Sequence, residues 1–148
     1  MRVVAWSANL TAERAAEVGV ERLGFDELLS TSDIVSVHLR LSERTRGLLG
    51  ARELALCKPT AYLVNTSRGP IVAEAALLDA LSAGRIAGAG LDVYDIEPLP
   101  ADHPLRHAPN TVLTPHLGYV SRRTFEVFFR DIVEDVAAFH AGKPVRVL

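Results

Sequence analysis

The stretch Ala61-Tyr62-Leu63-Val64-Asn65-Thr66-Ser67-Arg68-Gly69-Pro70 decides how the rest of the chain is read. A short apolar run, too brief for a helix, breaks into polar residues and a Gly-Pro turn. That pattern describes a buried strand delivering its end to a loop. Ahead of it, Ile34-Val35-Ser36-Val37-His38-Leu39 reads as another buried strand, and residues 51–56 as one or two helical turns before Lys58-Pro59. Behind it, an amphipathic helix over 73–83 stops at Gly84, followed by a glycine-thinned strand over 86–93 and a last one at Thr111-Val112-Leu113. Residues 3–6 and 20–23 give two more short strands. Thr11 caps a helix over 11–18 that Gly19 ends, and 26–30 form a brief helix. Ser121 caps a long final helix reaching about residue 140, ended by Gly142 and Pro144.

Strands alternating with helices imply βαβ units, right-handed crossovers and a parallel sheet, so the class is α/β. Residues 94–110 carry four prolines and little periodicity, which predicts a long surface loop. Loops longer than about 12 residues in a compact domain are more often functional than not. Neither an internal repeat nor a domain boundary is visible.

The totals narrow the function. At 148 residues the chain has room for one ordinary core, and 49% apolar with 23% charged residues suits a soluble globular protein. A net charge of −2 gives no electrostatic reason to expect nucleic acid or an anionic membrane as a partner. Cys57 is the single cysteine, which fits a reducing compartment. Met1 to Trp6 runs straight into a strand pattern rather than a signal peptide, and no apolar run approaches the roughly 20 residues that span a bilayer. A cytoplasmic, soluble protein is the expectation.

Three side chains at strand ends carry the chemistry. Arg68 offers a planar guanidinium that can grip a carboxylate through two parallel hydrogen bonds, although an arginine beside Gly69-Pro70 can equally satisfy strand-end carbonyls. His116, in Thr114-Pro115-His116-Leu117-Gly118, is able to exchange a proton near neutral pH, but four other histidines show that the residue is not rare here. Glu97, in Asp92-Val93-Tyr94-Asp95-Ile96-Glu97-Pro98, would hold His116 and favour its charged form; a solvated loop acid is the plain alternative. Asp92 can accept a hydrogen bond from a ligand amide or merely cap its turn. In a parallel α/β sheet the carboxyl ends of the strands open onto one crevice where ligands bind. A fork for a carboxylate, an acid and an imidazole converging there suit proton-coupled chemistry on a small carboxylic acid.

Other chemistries are poorly served. No His, Cys, Asp or Glu group has metal-ligand spacing, so no metal is expected. Ser67 lacks the glycine two residues before it that a nucleophile elbow requires. The glycine-rich run over 84–90 lies between a helix and a strand. A pyrophosphate-binding G-x-G-x-x-G follows a strand and opens a helix, so these glycines serve the helix stop and close packing instead.

Together and in this order, Val64-Asn65-Thr66-Ser67-Arg68-Gly69, Gly90-Leu91-Asp92-Val93 and Pro115-His116-Leu117-Gly118 resemble the D-isomer-specific 2-hydroxyacid dehydrogenases. The resemblance covers nearly the whole chain, from Val3 onward. It implies a partial Rossmann-type parallel sheet with flanking helices, and interconversion of a small 2-hydroxy acid with its 2-keto acid, using NAD or NADP. By it, Arg68 binds the substrate carboxylate and 2-oxygen, His116 exchanges the hydroxyl proton, and Glu97 orients and charges His116. Ser7, Leu39, Thr45, Thr66, Ser67, Arg68, Asp92, His116 and Gly118 would sit against the cofactor, Asp92 near its carboxamide.

The departures are as informative. Members of that family carry a substrate domain, then a strand, the G-x-G-x-x-G turn and a helix ahead of the stretch matched here. The chain therefore reads over 1–148 as an incomplete NAD(P)-binding domain without a substrate domain. The missing strand would lie between those at Val3 and Ile34, and its loss leaves two sets of edge groups facing each other. Three outcomes follow: the first strand shifts into the gap, another chain (a second copy or a missing N-terminal polypeptide) supplies one, or the fragment is marginally stable. Ser7-Ala8-Asn9 stands where an acid usually meets the ribose hydroxyls of NAD, which leaves NAD against NADP open. Little or no turnover is expected of these residues alone, because precise positioning supplies several kcal/mol of such catalysis. The rival is a non-catalytic remnant or interaction module associating through the final helix, around Phe125, Phe128, Ile132 and Val136.

Overall fold

The structure, a computed structural model, describes residues 1–147. It comprises two compact units, Met1–Pro115 and His116–Leu148, a division the sequence patterning does not mark.

The first unit is built on parallel strands, as the alternation predicts. β3 (Ile34–Val37), β4 (Tyr62–Asn65), β5 (Gly88–Leu91) and β6 (Thr111–Leu113) form one sheet in that order. Their register places Val35, Leu63 and Ala89 side by side, then Val37, Asn65 and Leu91. Since side chains alternate across a strand, these belong to one face, and Ile34, Tyr62, Gly88, Val64 and Gly90 to the other. Burial follows the same alternation: Val35, Val37, Leu63, Ala89 and Leu91 are in the core. α2 (Phe25–Thr31), α3 (Ala51–Leu56) and α4 (Glu74–Ser82) contribute Leu29, Leu54, Leu77, Ala80 and Leu81 to that core. On the opposite face Ile34, Tyr62 and Val112 are more than half exposed, at 56%, 53% and 69%.

β1 (Val4–Ala5) and β2 (Glu21–Arg22) form a separate two-stranded parallel sheet. α1 (Ala12–Ala16) joins them, capped by the Thr11 hydroxyl, which accepts the Arg14 N–H, and followed by Gly19 at φ 70°. β1 has not moved against β3. Between them lies a cleft of about 390 Å³, lined among others by Val4, Trp6, Leu28, Val35, Val37 and Ile71. The expected gap is thus present, and of the three outcomes the shifted first strand is not the one adopted. Trp6, one of the lining residues, stacks on Phe25, ring centroids 4.2 Å apart.

The helix and strand limits fall within a few residues of those read from sequence. Within residues 94–110, Tyr94, Leu99 and Leu105 are buried, and Pro104–His107 forms a 3-10 turn. The Arg106 guanidinium donates to the carbonyls of Pro100 and Leu99, both at 2.7 Å, which satisfies backbone that prolines leave without a ladder. The segment is the surface loop expected, pinned to the core by Tyr94, Leu99 and Leu105.

The second unit is dominated by α5 (Arg122–His140), whose N-cap Ser121 accepts the Thr124 N–H at 3.1 Å. Phe125, Phe128, Phe129, Ile132, Val133, Val136 and Phe139 are all exposed along it. After Gly142, at φ 68°, the chain returns so that Arg146 pairs with Asp131, Glu134 and Asp135 of the same helix.

Candidate functional site

The carboxyl ends of β4, β5 and β6 gather most of the polar residues singled out above. At the end of β4, Asn65 is 1% exposed and holds the turn from inside. Its carboxamide donates to the Arg68 carbonyl at 2.9 Å and accepts the Ser67 N–H at 3.1 Å, an Asx-type clamp. The Ser67 hydroxyl reaches back to the Leu39 carbonyl beyond β3. Gly69 is obligatory, because a Cβ there would lie 2.1 Å from the Tyr94 carbonyl carbon. This locked turn leaves Thr66 and Arg68 exposed on its outer side. The Arg68 guanidinium donates to the Ser67 carbonyl at 2.6 Å.

At the ends of β5 and β6 the anchor is Tyr94. Its phenol donates toward two carbonyls, Leu91 at 3.0 Å and Thr114 at 2.9 Å, and so ties the two strand ends together. Burial pushes the Tyr94 phenol above its ordinary pKa, and neighbouring Asp92 adds to the shift. Asp92 is itself 5% exposed and accepts the Thr114 hydroxyl proton. The Tyr94 N–H donates to Glu97 Oε1 at 2.9 Å, folding the acid back over the turn that carries it. Gly88 permits the close approach of β5 and β6, since a Cβ there would meet the Asn110 carbonyl oxygen at 2.4 Å.

The remaining candidates are placed as follows. Ser7 follows β1, where its carbonyl accepts the Leu10 N–H at 3.3 Å. Thr45 is taken up by its own turn: its hydroxyl donates to the Arg40 carbonyl at 2.7 Å and accepts the Ser42 N–H at 2.8 Å. His116 opens the second unit at φ 53°, a left-handed conformation uncommon outside glycine and worth a functional question. Its ring meets Tyr119 edge-on at 6.4 Å, and Gly118 lies between them in sequence. The structure therefore unites the β4, β5 and β6 ends.

Sequence reasoning passed over Asn65, Tyr94 and Thr114 as site builders. Asn65 had a usable signal, an Asx residue at a strand end before Ser-Arg-Gly. The Tyr94 phenol had none, because its partners are carbonyls from two strands.

Among the described residues no His, Cys, Asp or Glu cluster is placed to hold a metal ion, and no helix is long and apolar enough to cross a membrane.

A Rossmann-type parallel α/β sheet with its polar residues at the strand carboxyl ends defines a nucleotide-binding class of fold. Within that class the assignment is specific. Residues 1–118 match the family model described as D-isomer specific 2-hydroxyacid dehydrogenase, NAD binding domain, and the chain belongs to that family. It is 44% identical over 143 residues to glyoxylate reductase of Aeropyrum pernix, covering 97% of this chain and 43% of the relative. The phosphoglycerate oxidoreductase of Vibrio cholerae superposes with a TM-score of 0.86 at 35% identity, over 96% of this chain and 46% of the other. An NAD-complexed D-isomer specific 2-hydroxyacid dehydrogenase of Lactobacillus delbrueckii gives 0.81 at 31% identity, over 98% and 48%. The chain thus spans less than half the length of these relatives. NAD(P) is the cofactor to which the matched domain corresponds.

Proposed function

We propose that this chain is the catalytic-residue-bearing part of the cofactor domain of an NAD(P)-dependent D-2-hydroxyacid dehydrogenase. The observation that carries the reading is the pair of locked strand-end turns, one presenting Arg68 and the other Glu97, in a chain of this family. Arg68 forks onto the carboxylate of a 2-keto acid and fixes its carbonyl. His116 gives its imidazole proton to the carbonyl oxygen during reduction and takes it back from the hydroxyl during oxidation. Glu97 is the acid assigned to orient the His116 ring. When bound, the nicotinamide supplies or accepts the hydride at C2.

The polar set at Thr66, Ser67 and Asp92 fits the nicotinamide end of the cofactor, with a buried carboxylate at the β5 end suited to accept an amide N–H. The pyrophosphate end finds no cradle among the described residues, since the glycine run over 84–90 leads from α4 into β5. Turnover by this stretch alone is therefore slight, and the substrate is a small 2-keto acid of the kind named in the glyoxylate reductase relative.

A chimaera tests the reading: the matched segment of the Aeropyrum pernix glyoxylate reductase is replaced by this chain, and glyoxylate-dependent NAD(P)H oxidation is followed. Activity is expected, falling by about 10²–10⁴ with His116→Asn and with Arg68→Gln. A folded chimaera indifferent to Arg68→Gln and His116→Asn would refute the assignment.

A further inference from the structure

Beyond Glu97 the chain turns back through a brace built around His103. The His103 N–H donates to the Pro100 carbonyl at 3.2 Å, and its own carbonyl accepts the Arg106 N–H at 3.0 Å. Both ring nitrogens are also engaged. Nδ1 accepts the Leu105 N–H at 3.3 Å, which caps the 3-10 turn, and Nε2 lies 3.1 Å from Oε1 of Glu74. An imidazole nitrogen that accepts an N–H carries no proton of its own. The network therefore assigns the ring hydrogen to Nε2, from where it is donated to Glu74. Both side chains are largely withdrawn from solvent, so this bond is screened less than a surface ion pair. The backbone bonds of His103 and those of the Arg106 guanidinium stay within residues 94–110. Glu74 belongs to another element: it opens α4, whose Leu77, Ala80 and Leu81 are fixed in the core.

We infer that His103 and Glu74 are positioning residues for Glu97: their bond fastens the returning limb of the loop to α4 and so fixes where the acid stands. The inference rests on the role assigned to Glu97 above. The loop that carries the acid is then held twice, by the Tyr94 N–H on Glu97 itself and by His103 on α4. The Arg68 turn does not depend on this second fastening. It is locked from within by the Asn65 carboxamide and by the close approach of Gly69 to the Tyr94 backbone. Loss of the His103–Glu74 bond therefore displaces the acid and leaves the carboxylate fork in place. The plain alternative is a histidine that only caps its own 3-10 turn, in which case Glu74 contributes nothing to Glu97.

Three variants of the full chain separate fastening from capping. His103→Asn keeps an oxygen to cap the Leu105 N–H but is too short to reach Glu74. Glu74→Ala removes the acceptor for the Nε2 hydrogen, whereas Glu74→Gln retains one. The Tyr94 amide, whose N–H holds Glu97, should exchange about tenfold faster in His103→Asn and Glu74→Ala and at the original rate in Glu74→Gln. The Tyr62 amide, bonded to the Asp33 carbonyl, should be unchanged in all three. Unchanged Tyr94 exchange in His103→Asn and Glu74→Ala overturns the inference, as does Glu74→Gln behaving like Glu74→Ala. Protection lost equally at Tyr62 and Tyr94 also overturns it, because the pair would then serve general stability. In the chimaera described above, His103→Asn should lower kcat by about 10- to 100-fold with KM for glyoxylate held within about twofold. A raised KM at constant kcat would place the effect on Arg68 and contradict the inference. An inactive chimaera alongside the expected exchange pattern would refute the dehydrogenase reading and uphold the fastening of Glu97.

Discussion

The β3–β6 sheet and the β1–β2 pair are built from the same elements, parallel strands and short helices, yet they end up very differently. In the first, every interior strand has two partners, and the face toward α2, α3 and α4 is buried down to 0% exposure at Ile71 and 1% at Leu54. In the second, two strands of two residues each have one partner, and neither β2 residue is buried. The contrast teaches where strand propensity stops being sufficient. Val3-Val4-Ala5-Trp6 is as good a strand sequence as Ala61-Tyr62-Leu63-Val64, but a strand is stable through its neighbours. The complete half also carries the two locked turns, so order is concentrated where Arg68 and Glu97 need it.

The largest expected effect sharpens that contrast. Ile71→Ala opens a cavity in the finished half and should cost about 2–5 kcal/mol in denaturant unfolding. Val4→Ala, beside an already open cleft, should cost less than about 1 kcal/mol; similar costs would mean that the two regions share one cooperative core. Gly69→Ala should come next. A methyl against the Tyr94 backbone forces β4 and β5 ends apart, with a loss of about 1–3 kcal/mol and faster amide exchange at Tyr94, whose N–H holds Glu97. Tyr94→Phe removes two carbonyl contacts and should cost about 1–3 kcal/mol.

The same tyrosine gives a smaller, pH-dependent signature. Its phenol is pushed up in the folded chain by burial and Asp92. The protonated form is therefore favoured by folding. Its contribution is complete below the ordinary tyrosine pKa of about 10 and is lost as pH rises through the folded value. Stability should decline above about pH 10, and the decline should be shallower in Tyr94→Phe. Parallel slopes for the two proteins would assign the alkaline loss to other groups.

Much of this arrangement was legible in the sequence because local signals and tertiary structure agree. Thr11 and Ser121 cap the helices they were expected to cap, and Gly19, Gly84 and Gly142 adopt the positive φ that ends them. The alternation in Ile34-Val35-Ser36-Val37 matches the buried and exposed sides of β3. Arg68 and Glu97 were visible as strand-end residues, and the gap beside β1 was expected from the family resemblance, not from the residues alone. What was not legible depends on contacts distant in sequence. Leu99 and Leu105 looked like loop residues because prolines erase the periodicity around them, yet both are buried. Tyr94 gains its role from Leu91 and Thr114, the second of which is 20 residues away. The division at Pro115 and His116 carries no compositional mark.

Native-state hydrogen exchange on the chain alone tests most directly whether a finished half sits beside an open seam. The Tyr62, Ala89 and Thr114 amides, bonded within β3–β6, should exchange only through global unfolding. The Glu21 and Leu23 amides, bonded to β1, should exchange faster by on the order of a hundredfold through local opening. Equal protection of both sets, lost together in one cooperative step, would contradict the account.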